Sequence, residues 1–332
     1  MKTYKVAVLG ATGAVGREML AVLEERRFPV GELLPLASKK SAGTRLRFCG
    51  VDVPVHEMTE NSFSGCDVVL GAAPSEIAKK FAPHIVGAGA VFIDNSSAFR
   101  LDDAVPLVVP EINPGDAKAH RGIISNPNCS TIIALVAVNA INALSPIKTM
   151  TVSTYQAVSG AGAGGVTELF SQIDAISKNE TPPQKIFPRQ IAYNLIPQIG
   201  EFLDGGYTAE EMKMQNEGRK ILHSPSLRVS CTCVRVPVVR SHSEAITVVT
   251  EAPVSVDDAR AAVACSAGCR LIDDPESSIY PTPLDSTGGD TVLVGRIRKD
   301  IALDNALSIW CCGDQLRKGA ATNAVQIAEL LV

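Results

Sequence analysis

Residues 6–16, VAVLGATGAVG, decide the fold: an apolar run passes directly into a loop with glycine at every third position. The run Val6–Leu9 is typical of a strand buried on both faces in a parallel sheet. The loop Gly10–Gly16 permits a tight turn into a helix, whose free N–H groups and positive dipole end can hold a pyrophosphate. Its Gly-x-x-Gly-x-x-Gly spacing departs from the commoner Gly-x-Gly-x-x-Gly. The prediction therefore depends on the strand before the loop and the helix after it. The stretch predicts a dinucleotide site, with a structural glycine turn as the alternative.

The strand–helix pattern then repeats through the first half of the chain. Arg17–Arg26 places apolar residues at helical spacing. Further apolar runs of strand length are Leu33–Ala37, Val68–Leu70, Ala90–Ile93 and Leu107–Val109. This alternation predicts an α/β fold with a Rossmann-type, doubly wound parallel sheet.

The second half of the chain has a different pattern of strand-like stretches. Its strand-like stretches are longer, namely Lys148–Val158, Arg228–Val239 and Glu244–Glu251. They predict a second, α+β domain with a largely antiparallel sheet. The Pro- and Gly-rich stretch Asn179–Gly206 is predicted to be a long loop. The tail Gly319–Leu331 has helical spacing, and we expect this helix to return to the first domain.

Composition excludes several classes of protein. The 332 residues are 46% hydrophobic and 20% charged, which excludes global disorder and favours two domains. The net charge of −4, without a basic block, argues against nucleic-acid binding. No run approaches the roughly 18 apolar residues of a membrane span, and the N-terminus lacks a signal peptide pattern. Nine cysteines without a disulfide rhythm suit a reducing compartment, so a cytoplasmic protein without membrane partners is expected.

The residues after the second strand bear on cofactor choice. An NAD enzyme usually has Asp or Glu there to bind the ribose 2′-hydroxyl. This chain instead has Ala37-Ser38-Lys39-Lys40-Ser41. Hydroxyl and ammonium groups suit a 2′-phosphate, so NADP is favoured, the alternative being a merely solvated loop.

Cys129 is the candidate nucleophile. In Asn126-Pro127-Asn128-Cys129-Ser130-Thr131 it lies at the start of the apolar helical run Ile132–Leu144. Unpaired N–H groups and the dipole at a helix N-terminus stabilise a thiolate. A small cysteine that fills a packing gap is the alternative. The pairs Cys231/Cys233 and Cys311/Cys312 lack zinc-site spacing and lie in apolar strand-like runs, so no metal site is predicted.

A thiolate nucleophile needs a proton partner, and His242 is the candidate. It lies just past the strand-like run Val229–Val239, whereas the other four histidines have no companion residues. An exposed turn histidine is the alternative. Arg235 shares a strand face with Cys231 and Cys233, where a charge is expected only if it meets an anion or a buried acid.

Together these features resemble the aspartate-semialdehyde dehydrogenase family. The resemblance spans nearly the whole chain. It includes Gly10–Gly16, Asn95–Arg100, Asn126–Thr131, Tyr155–Gly162, Glu210–Lys213, Arg235–His242, Val294–Arg298 and the C-terminal helix with Asn323. The resemblance implies a NADP-binding domain of residues 1–127 and 313–332, and a catalytic and dimerisation domain of residues 128–312.

The implied reaction is the NADPH-dependent reductive dephosphorylation of L-aspartyl 4-phosphate to L-aspartate 4-semialdehyde, for lysine, methionine and threonine biosynthesis. Catalysis is assigned by resemblance to Cys129, His242 and Gln156. The implied substrate residues are Arg100, Asn128, Glu210, Lys213 and Arg235. The implied cofactor residues are Gly10, Thr12, Gly13, Ala14, Val15, Ala37, Ser38, Lys39, Ser41, Ala72, Ser159, Gly160 and Asn323.

Other interpretations stay open at this stage. Gln156 has a core-amide alternative, Arg100 a solvated-loop alternative, and Glu210 with Lys213 can form an exposed helical ion pair. Two neighbouring enzymes also combine a dinucleotide, a cysteine and a histidine, namely glyceraldehyde-3-phosphate dehydrogenase and N-acetyl-glutamyl-phosphate reductase. Their residues around the nucleophile match Asn128–Thr131 less well. A non-catalytic dinucleotide-binding regulator is the alternative from another class. By resemblance the partners are small-molecule substrates and a second copy of the chain, as a homodimer or a dimer of dimers.

Overall fold

The computed structural model describes residues 2–332, which form two compact units. The first comprises residues up to Asn128, Lys220–Leu222 and Gly319–Val332. The second comprises Cys129–Arg219 and His223–Lys318. Relative to the predicted domains, Asn128 and Lys220–Leu222 group with the first unit, and 313–318 with the second.

The strands of the first unit are β1 (Tyr4–Leu9), β2 (Val30–Ala37), β3 (Arg45–Phe48), β4 (Val51–Pro54), β5 (His56–Glu57), β6 (Val68–Gly71), β7 (Val91–Asp94) and β8 (Ile123–Ser125). Those of the second are β9 (Ile147–Gln156), β10 (Arg228–Arg235), β11 (His242–Thr250), β12 (Cys269–Leu271), β13 (Val292–Lys299) and β14 (Ala306–Gly313). The helices are α1 (Ala14–Glu25), α2 (Ser75–Gly87), α3 (Cys129–Leu144), α4 (Gly162–Ser177), α5 (Ala209–Ile221), α6 (Val256–Cys265), α7 (Pro283–Ser286) and α8 (Thr322–Glu329).

A six-stranded parallel sheet organises the first unit, in the order β5-β2-β1-β6-β7-β8. Its central strand residues Val6–Leu9 have no exposed surface, which explains the continuous apolar run in the sequence. Apolar residues of α1 and α8 pack in one core with β1, β6 and β7. The predicted doubly wound parallel sheet and the returning C-terminal helix are therefore confirmed.

One predicted strand is wrong. Leu107–Val109 is buried, but only Leu107 forms a bridge, to Ser125 of β8. Pro106 and Pro110 flank this segment, and a proline limits backbone conformation and donates no hydrogen bond. The apolar run therefore fills the core beside the sheet edge without extending the sheet.

The second unit is built on a mixed six-stranded sheet, in the order β10-β9-β11-β14-β13-β12. The three central pairings are antiparallel and the two outer ones are parallel. The prediction of a largely antiparallel sheet is confirmed. Helix α3 packs against this sheet and against α6, so one sheet face is covered. The opposite face stays half-exposed at Ser153, Thr247 and Trp310.

Helix α3 is apolar around its whole circumference, as expected of a buried helix. Its first residue is Cys129, so the predicted position of this cysteine at a helix N-terminus is confirmed. The long connection between Ser177 and Ala209 contains no helix and only isolated bridges, at Ile196 and Phe202, as predicted. Within residues 2–332, no helix is both long and apolar enough to span a bilayer.

Candidate active site

Strand pairing in the second unit brings three predicted site residues to one edge of the sheet. In the parallel pair β9–β10, Gln156 and Arg235 lie opposite each other at the strand ends. Strand β11 begins at His242 and runs antiparallel to β9, with Ser243 opposite Tyr155. The carboxyl ends of β9 and β10 therefore meet the amino end of β11. All three side chains are almost completely buried.

His242 is held as a neutral ring. Burial and the positive charge of Arg235 lower the pKa of His242 to about 3, against the opposing effects of Glu210 and the Ser241 backbone. The Ala157 backbone N–H donates to Nδ1 at 3.2 Å. A ring nitrogen that accepts a hydrogen bond carries no proton in the neutral form, so the proton lies on Nε2. Among the described residues, 2–332, Nε2 has no hydrogen-bond partner, which leaves it ready for a ligand.

Arg235 is a buried cation beside this histidine. Its Nη1 donates to the Ala157 carbonyl at 2.7 Å, and its guanidinium lies 6.0 Å from the centre of the Phe187 ring. Burial lowers the pKa of Arg235, while the charges of Cys129 and Glu210 act in the opposite direction. A buried charge is costly unless an anion meets it. Arg235 is thus suited to a carboxylate ligand.

The main chain of Gly160 lies close to the side chains of both Arg235 and His242. A β-carbon at this position would lie 2.7 Å from Arg235 Nη1, 3.3 Å from His242 Cε1 and 3.5 Å from His242 Nε2. Glycine is therefore required for close approach of the main chain, and the same contacts show that the guanidinium and imidazole face one point.

Helix α5 brings two further predicted residues to this edge. Its start is fixed by a reciprocal cap, in which the Glu211 N–H donates to Thr208 Oγ1 and the Thr208 N–H donates to Glu211 Oε2. The preceding residue, Glu210, accepts a hydrogen bond at Oε2 from Lys213 Nζ at 2.7 Å, and its Oε1 lies 3.4 Å from Gln156 Nε2. Glu210 is 9% exposed, so the pair with Lys213 is not a solvated surface pair.

The thiol of Cys129 completes this group. A thiolate at Cys129 would raise the pKa of Arg235, so the two groups lie within electrostatic reach of each other. It is partly exposed, unlike Cys231, Cys233 and the two cysteines of β14, which are buried. The preceding residue, Asn128, is buried. Cys129 thus combines a helix N-terminus, access and a nearby cation, the three features that prepare a thiolate.

The glycine loop of the first unit has the geometry of a phosphate cradle. Gly10 follows β1 with φ +82°, and a β-carbon there would lie 2.6 Å from the Ala72 carbonyl oxygen. Gly13 caps α1 without a side-chain hydrogen bond, and the first turn has no acidic residue. The first N–H groups of α1 are therefore open to an anion. Thr12, Ala14 and Val15 lie in this same turn, so the predicted residues fit a pyrophosphate.

The end of β2 presents the second part of this cradle. Strand β2 ends at Ala37, and Ser38 and Lys39 are exposed in the turn that follows. The Ser41 N–H donates to the Ser38 carbonyl at 2.9 Å, which closes the turn and brings two hydroxyls to it. The turn has no carboxylate that would repel a 2′-phosphate.

Arg100 and Asn323 belong to a buried polar network in the first unit. Arg100 Nε donates to the Asn126 carbonyl at 3.0 Å, and Nη2 to the Asn95 carbonyl at 2.7 Å. Asn323 Nδ2 donates to Asn126 Oδ1 at 2.6 Å and to the Val108 carbonyl at 3.0 Å. Arg100 is therefore not a solvated loop cation. Asn323 has no exposed surface and holds Asn126, so its cofactor contact stays a prediction.

Comparisons with known proteins show the family to which the chain belongs. Residues 5–120 match the family described as "Semialdehyde dehydrogenase, NAD binding domain", and residues 139–318 match "Semialdehyde dehydrogenase, dimerisation domain". The chain is 50% identical over 328 residues to an aspartate-semialdehyde dehydrogenase of Synechocystis sp., covering 99% of this chain and 97% of that protein. The chain belongs to the aspartate-semialdehyde dehydrogenase family.

Solved structures of the family have the same fold. The aspartate-semialdehyde dehydrogenase II of Vibrio cholerae complexed with ASA is 46% identical, with a TM-score of 0.97 over 100% of this chain and 98% of that chain. The Candida albicans aspartate-semialdehyde dehydrogenase with NADP is 25% identical, with a TM-score of 0.76 over 99% of this chain and 98% of that chain. The predicted family and fold class are confirmed.

As a member of the aspartate-semialdehyde dehydrogenase family, the chain is an oxidoreductase of aspartate-family amino-acid biosynthesis. Its first unit contains the family's NAD(P)-binding Rossmann domain, and its second contains the dimerisation domain. The predicted enzyme class and nicotinamide dinucleotide cofactor are confirmed.

Three residues of this dehydrogenase site were missed by sequence reasoning. Ala157 acts only through its main chain, which holds both Arg235 and His242, so its side chain carries no signal. Phe187 lies in the long loop and contacts Arg235 through its ring. Gln315 Nε2 donates to Ser159 Oγ at 2.5 Å, and its Oε1 accepts from the Ser241 N–H at 2.8 Å. Only spatial proximity connects Gln315, which lies beyond β14, with the start of β11.

Proposed function

We propose that Cys129 is the nucleophile, and His242 the proton donor and acceptor, in the phosphate-dependent interconversion of L-aspartyl 4-phosphate and L-aspartate 4-semialdehyde. The observation that carries this proposal is the convergence of a buried arginine and a neutral histidine on Gly160, in the unit that holds the thiol. A carboxylate recognised by Arg235 places the other end of a four-carbon acid near a nucleophile, as the reaction requires.

Arg235 and Glu210 bind the two ends of the α-amino acid group. The Arg235 guanidinium donates two parallel hydrogen bonds to the α-carboxylate, whose negative charge compensates the buried positive charge of the arginine. The Glu210 carboxylate attracts the α-ammonium, and Gln156, 3.4 Å from that carboxylate, orients the reacting carbonyl. Phosphate binding is assigned to Arg100 and Asn128 within the first unit, and to Lys213 within the second. Lys213 and Arg100 provide charge, while the Asn128 amide provides a neutral hydrogen bond.

In the biosynthetic direction, the Cys129 thiolate attacks the acyl carbon. A C–S bond forms, the C–O bond to phosphate breaks, and inorganic phosphate leaves from a thioester. NADPH, when bound, supplies the hydride that reduces this thioester to a hemithioacetal. Because hydride addition leaves the hemithioacetal oxygen as an alkoxide, the C–S bond then breaks without loss of a proton, which releases the aldehyde and restores the thiolate.

The environment of His242 ties proton transfer to substrate binding. In the free site its Nε2–H is a hydrogen-bond donor toward the developing oxygen charge. The positive charge of Arg235 keeps the pKa of His242 low. A carboxylate on Arg235 offsets that charge and raises the affinity of the ring for a proton. A bound carboxylate therefore favours protonation of His242 at Nδ1, provided that the hydrogen bond from the Ala157 N–H to that nitrogen opens.

The dinucleotide is held by the first unit. The N–H groups of the Gly10–Val15 turn bind its pyrophosphate, and Ala72 lines the turn where its carbonyl approaches Gly10. Ser38, Lys39 and Ser41 bind the 2′-phosphate, which favours NADP over NAD. Within the second unit, Ser159 and Gly160 keep their predicted role toward the nicotinamide ring, and within the first unit Asn323 of α8 keeps its predicted role toward the cofactor.

The half-exposed face of the second unit's sheet is the contact surface of a homodimer. Polar and aromatic side chains such as Ser153, Thr247 and Trp310 lie on that face. The match of residues 139–318 to a dimerisation domain supports this assignment. A second such contact would give a dimer of dimers. Free thiols at all nine cysteines support a cytoplasmic location.

The test is the reduction of NADP on mixing the pure protein with aspartate semialdehyde and phosphate. The proposal requires absorbance growth at 340 nm that depends on phosphate and stops after alkylation of Cys129. Growth without phosphate would overturn the acyl-phosphate reaction. Bound NADP without turnover would instead favour a non-catalytic regulator.

A further inference from the structure

Lys220 holds a loop of the first unit through three main-chain carbonyls. Its Nζ donates to the carbonyl of Arg100 at 3.0 Å, of Asp102 at 2.6 Å and of Val105 at 2.8 Å. An ammonium group has three protons, so all of its donors are used on one loop. This lysine is therefore not a solvated surface cation, although it lies near the end of α5.

The same ammonium is partly withdrawn from water. Burial lowers the pKa of Lys220, and the carboxylates of Asp103 and Asp102 oppose that change. The carbonyls provide the hydrogen bonds that burial removes. A neutral side chain would leave three carbonyl oxygens without this donor, which is costly where water is limited.

The loop that Lys220 holds begins at Arg100. Inside the loop, the Val105 N–H donates to the Asp102 carbonyl at 3.1 Å, and the Ala104 N–H to Asp102 Oδ1 at 2.9 Å. These are local turn contacts, and neither reaches Arg100. The Asp102 N–H also donates to the Phe99 carbonyl at 3.1 Å, which closes a turn around Arg100. Lys220 binds the Arg100 carbonyl within that turn.

Two sets of contacts then orient Arg100. Its guanidinium is held by the carbonyls of Asn126 and Asn95, and its own carbonyl is held by Lys220. Side-chain contacts fix where the charge lies, and the carbonyl contact fixes the direction from which the side chain leaves the main chain. A phosphate gains full affinity only from a guanidinium that is already oriented.

We propose that Lys220 is a positioning residue for the phosphate site, and that it acts through Arg100 without touching phosphate itself. This inference rests on the proposed role of Arg100. It assigns a function to a lysine whose sequence context, Arg219-Lys220-Ile221 at the end of a helix, shows no motif.

The experiment is steady-state kinetics of the full-length enzyme with NADP, aspartate semialdehyde and inorganic phosphate. For Lys220→Met we expect the KM for phosphate to rise about tenfold, equivalent to one charge-assisted hydrogen bond. The KM for aspartate semialdehyde should change less than about twofold, because Arg235 and Glu210 lie in the second unit. Lys220→Arg, which keeps the charge and the donors, should recover most of the phosphate affinity.

Lys79→Met is the matched control, since Lys79 is an exposed lysine of α2 in the same unit. This variant should leave the KM for phosphate and the KM for aspartate semialdehyde unchanged. Thermal unfolding of each variant separates a loss of fold from a loss of positioning. If Lys220→Met does not fold, Lys220→Gln, which keeps two donors, replaces it. An equal rise of both KM values, or no rise, in a folded variant overturns the inference.

The Arg100→Lys variant separates this inference from the function on which it depends. If Arg100→Lys leaves the KM for phosphate unchanged, the proposed role of Arg100 fails. If it raises that KM and Lys220→Met does not, only the positioning role fails. In the double variant, Lys220→Met should add less than about twofold to the effect of Arg100→Lys, because both act on one contact. Full additivity overturns action through Arg100.

Discussion

Arg235 and Arg100 are both almost completely buried, but their surroundings differ in kind. Arg235 lies among groups that gain or lose protons, namely Cys129, Glu210 and His242. Arg100 lies among the carbonyls of Asn95 and Asn126, which never change charge. The same side chain therefore serves two purposes. In the proposed function, the arginine of the second unit binds a carboxylate and changes the charge around its neighbours, and the arginine of the first unit offers a fixed donor to phosphate.

The largest expected effect tests whether the chemistry belongs to the surroundings of Arg235. Cys129→Ser should lower turnover by roughly a thousandfold or more, because a hydroxyl is a far poorer nucleophile than a thiolate. NADP binding, measured by fluorescence titration, should be unchanged. Cys265→Ser, at an exposed thiol of the second unit, is the control. Turnover close to that of the unaltered enzyme would remove Cys129 from the reaction.

Replacing each arginine by lysine compares the two anion sites directly. Arg235→Lys should raise the KM for aspartate semialdehyde by roughly tenfold to a hundredfold, and that for phosphate much less, because a point charge loses one of the two bonds of the fork. Arg100→Lys should give the opposite pattern. The measurement is a matrix of initial rates over both substrates. Equal effects of Arg235→Lys on both constants would move Arg235 out of the carboxylate site.

A third change tests the other anion site of the first unit, the turn after β2. The double variant Lys39→Ala and Ser41→Ala should weaken NADP binding by about tenfold and NAD binding much less, because only NADP has a 2′-phosphate. Dissociation constants for both cofactors give the ratio. Lys79→Ala should leave that ratio unchanged. An unchanged ratio in the double variant would exclude these residues from 2′-phosphate binding.

The electrostatic difference between the two arginines has a direct spectroscopic consequence. Burial, and after it the positive charge of Arg235, lower the pKa of His242 to about 3. Removing that charge in Arg235→Met should therefore raise the pKa of His242. Proton NMR of the histidine Cε1–H signals against pH measures this, with His242→Gln used to identify the signal. The Arg100→Met variant should leave the signal unmoved, and a response to Arg100 but not Arg235 would reverse the comparison.

The last expected effect is on stability and leaves catalysis aside; it concerns Glu244, a fully buried carboxyl of β11. Burial and Cys233 raise the pKa of Glu244 well above its usual value, against an opposing effect of Ser130. The folded state therefore keeps a proton that the unfolded chain loses above about pH 4.5, so the free energy of unfolding falls as pH rises. Glu244→Gln lacks this dependence, so its stability relative to the unaltered protein should increase by about 1.4 kcal/mol per pH unit until the folded pKa is reached.

Urea unfolding at about pH 5.5 and at about pH 7.5 measures that difference, because both values lie above the ordinary pKa of a glutamate. Glu76→Gln, at an exposed carboxylate of α2, should show no such trend. A stability difference that is the same at both pH values would mean that Glu244 is ionised in the folded protein.

The parts of the fold that were predictable are those in which one local pattern serves one structural purpose. Val6–Leu9 is buried on both faces and so reads as a parallel strand, and Cys129 follows a proline-marked strand exit and starts a helix. Leu107–Val109 has the same apolar pattern but packs beside the sheet edge. Burial alone does not distinguish these two outcomes, because the pattern reports contact with a core and not hydrogen bonding to a neighbour.

The site was predictable where chemistry requires a particular side chain. His242 and Arg235 carry groups that the proposed reaction needs, so their residue types are informative. Ala157 and Lys220 are different, since the first acts through its peptide group and the second through carbonyls more than a hundred positions away in the chain. Such contacts depend on the folded arrangement, and no spacing within the sequence indicates them.

Gly160 also constrains the order in which this site can change. Its hydrogen occupies space that a methyl group would contest with Arg235 Nη1, which cannot withdraw freely because it is buried and bonded to Ala157. A side chain at position 160 therefore calls for a shorter side chain at position 235. The two substitutions are compatible when the arginine is replaced first, and opposed when the glycine is replaced first.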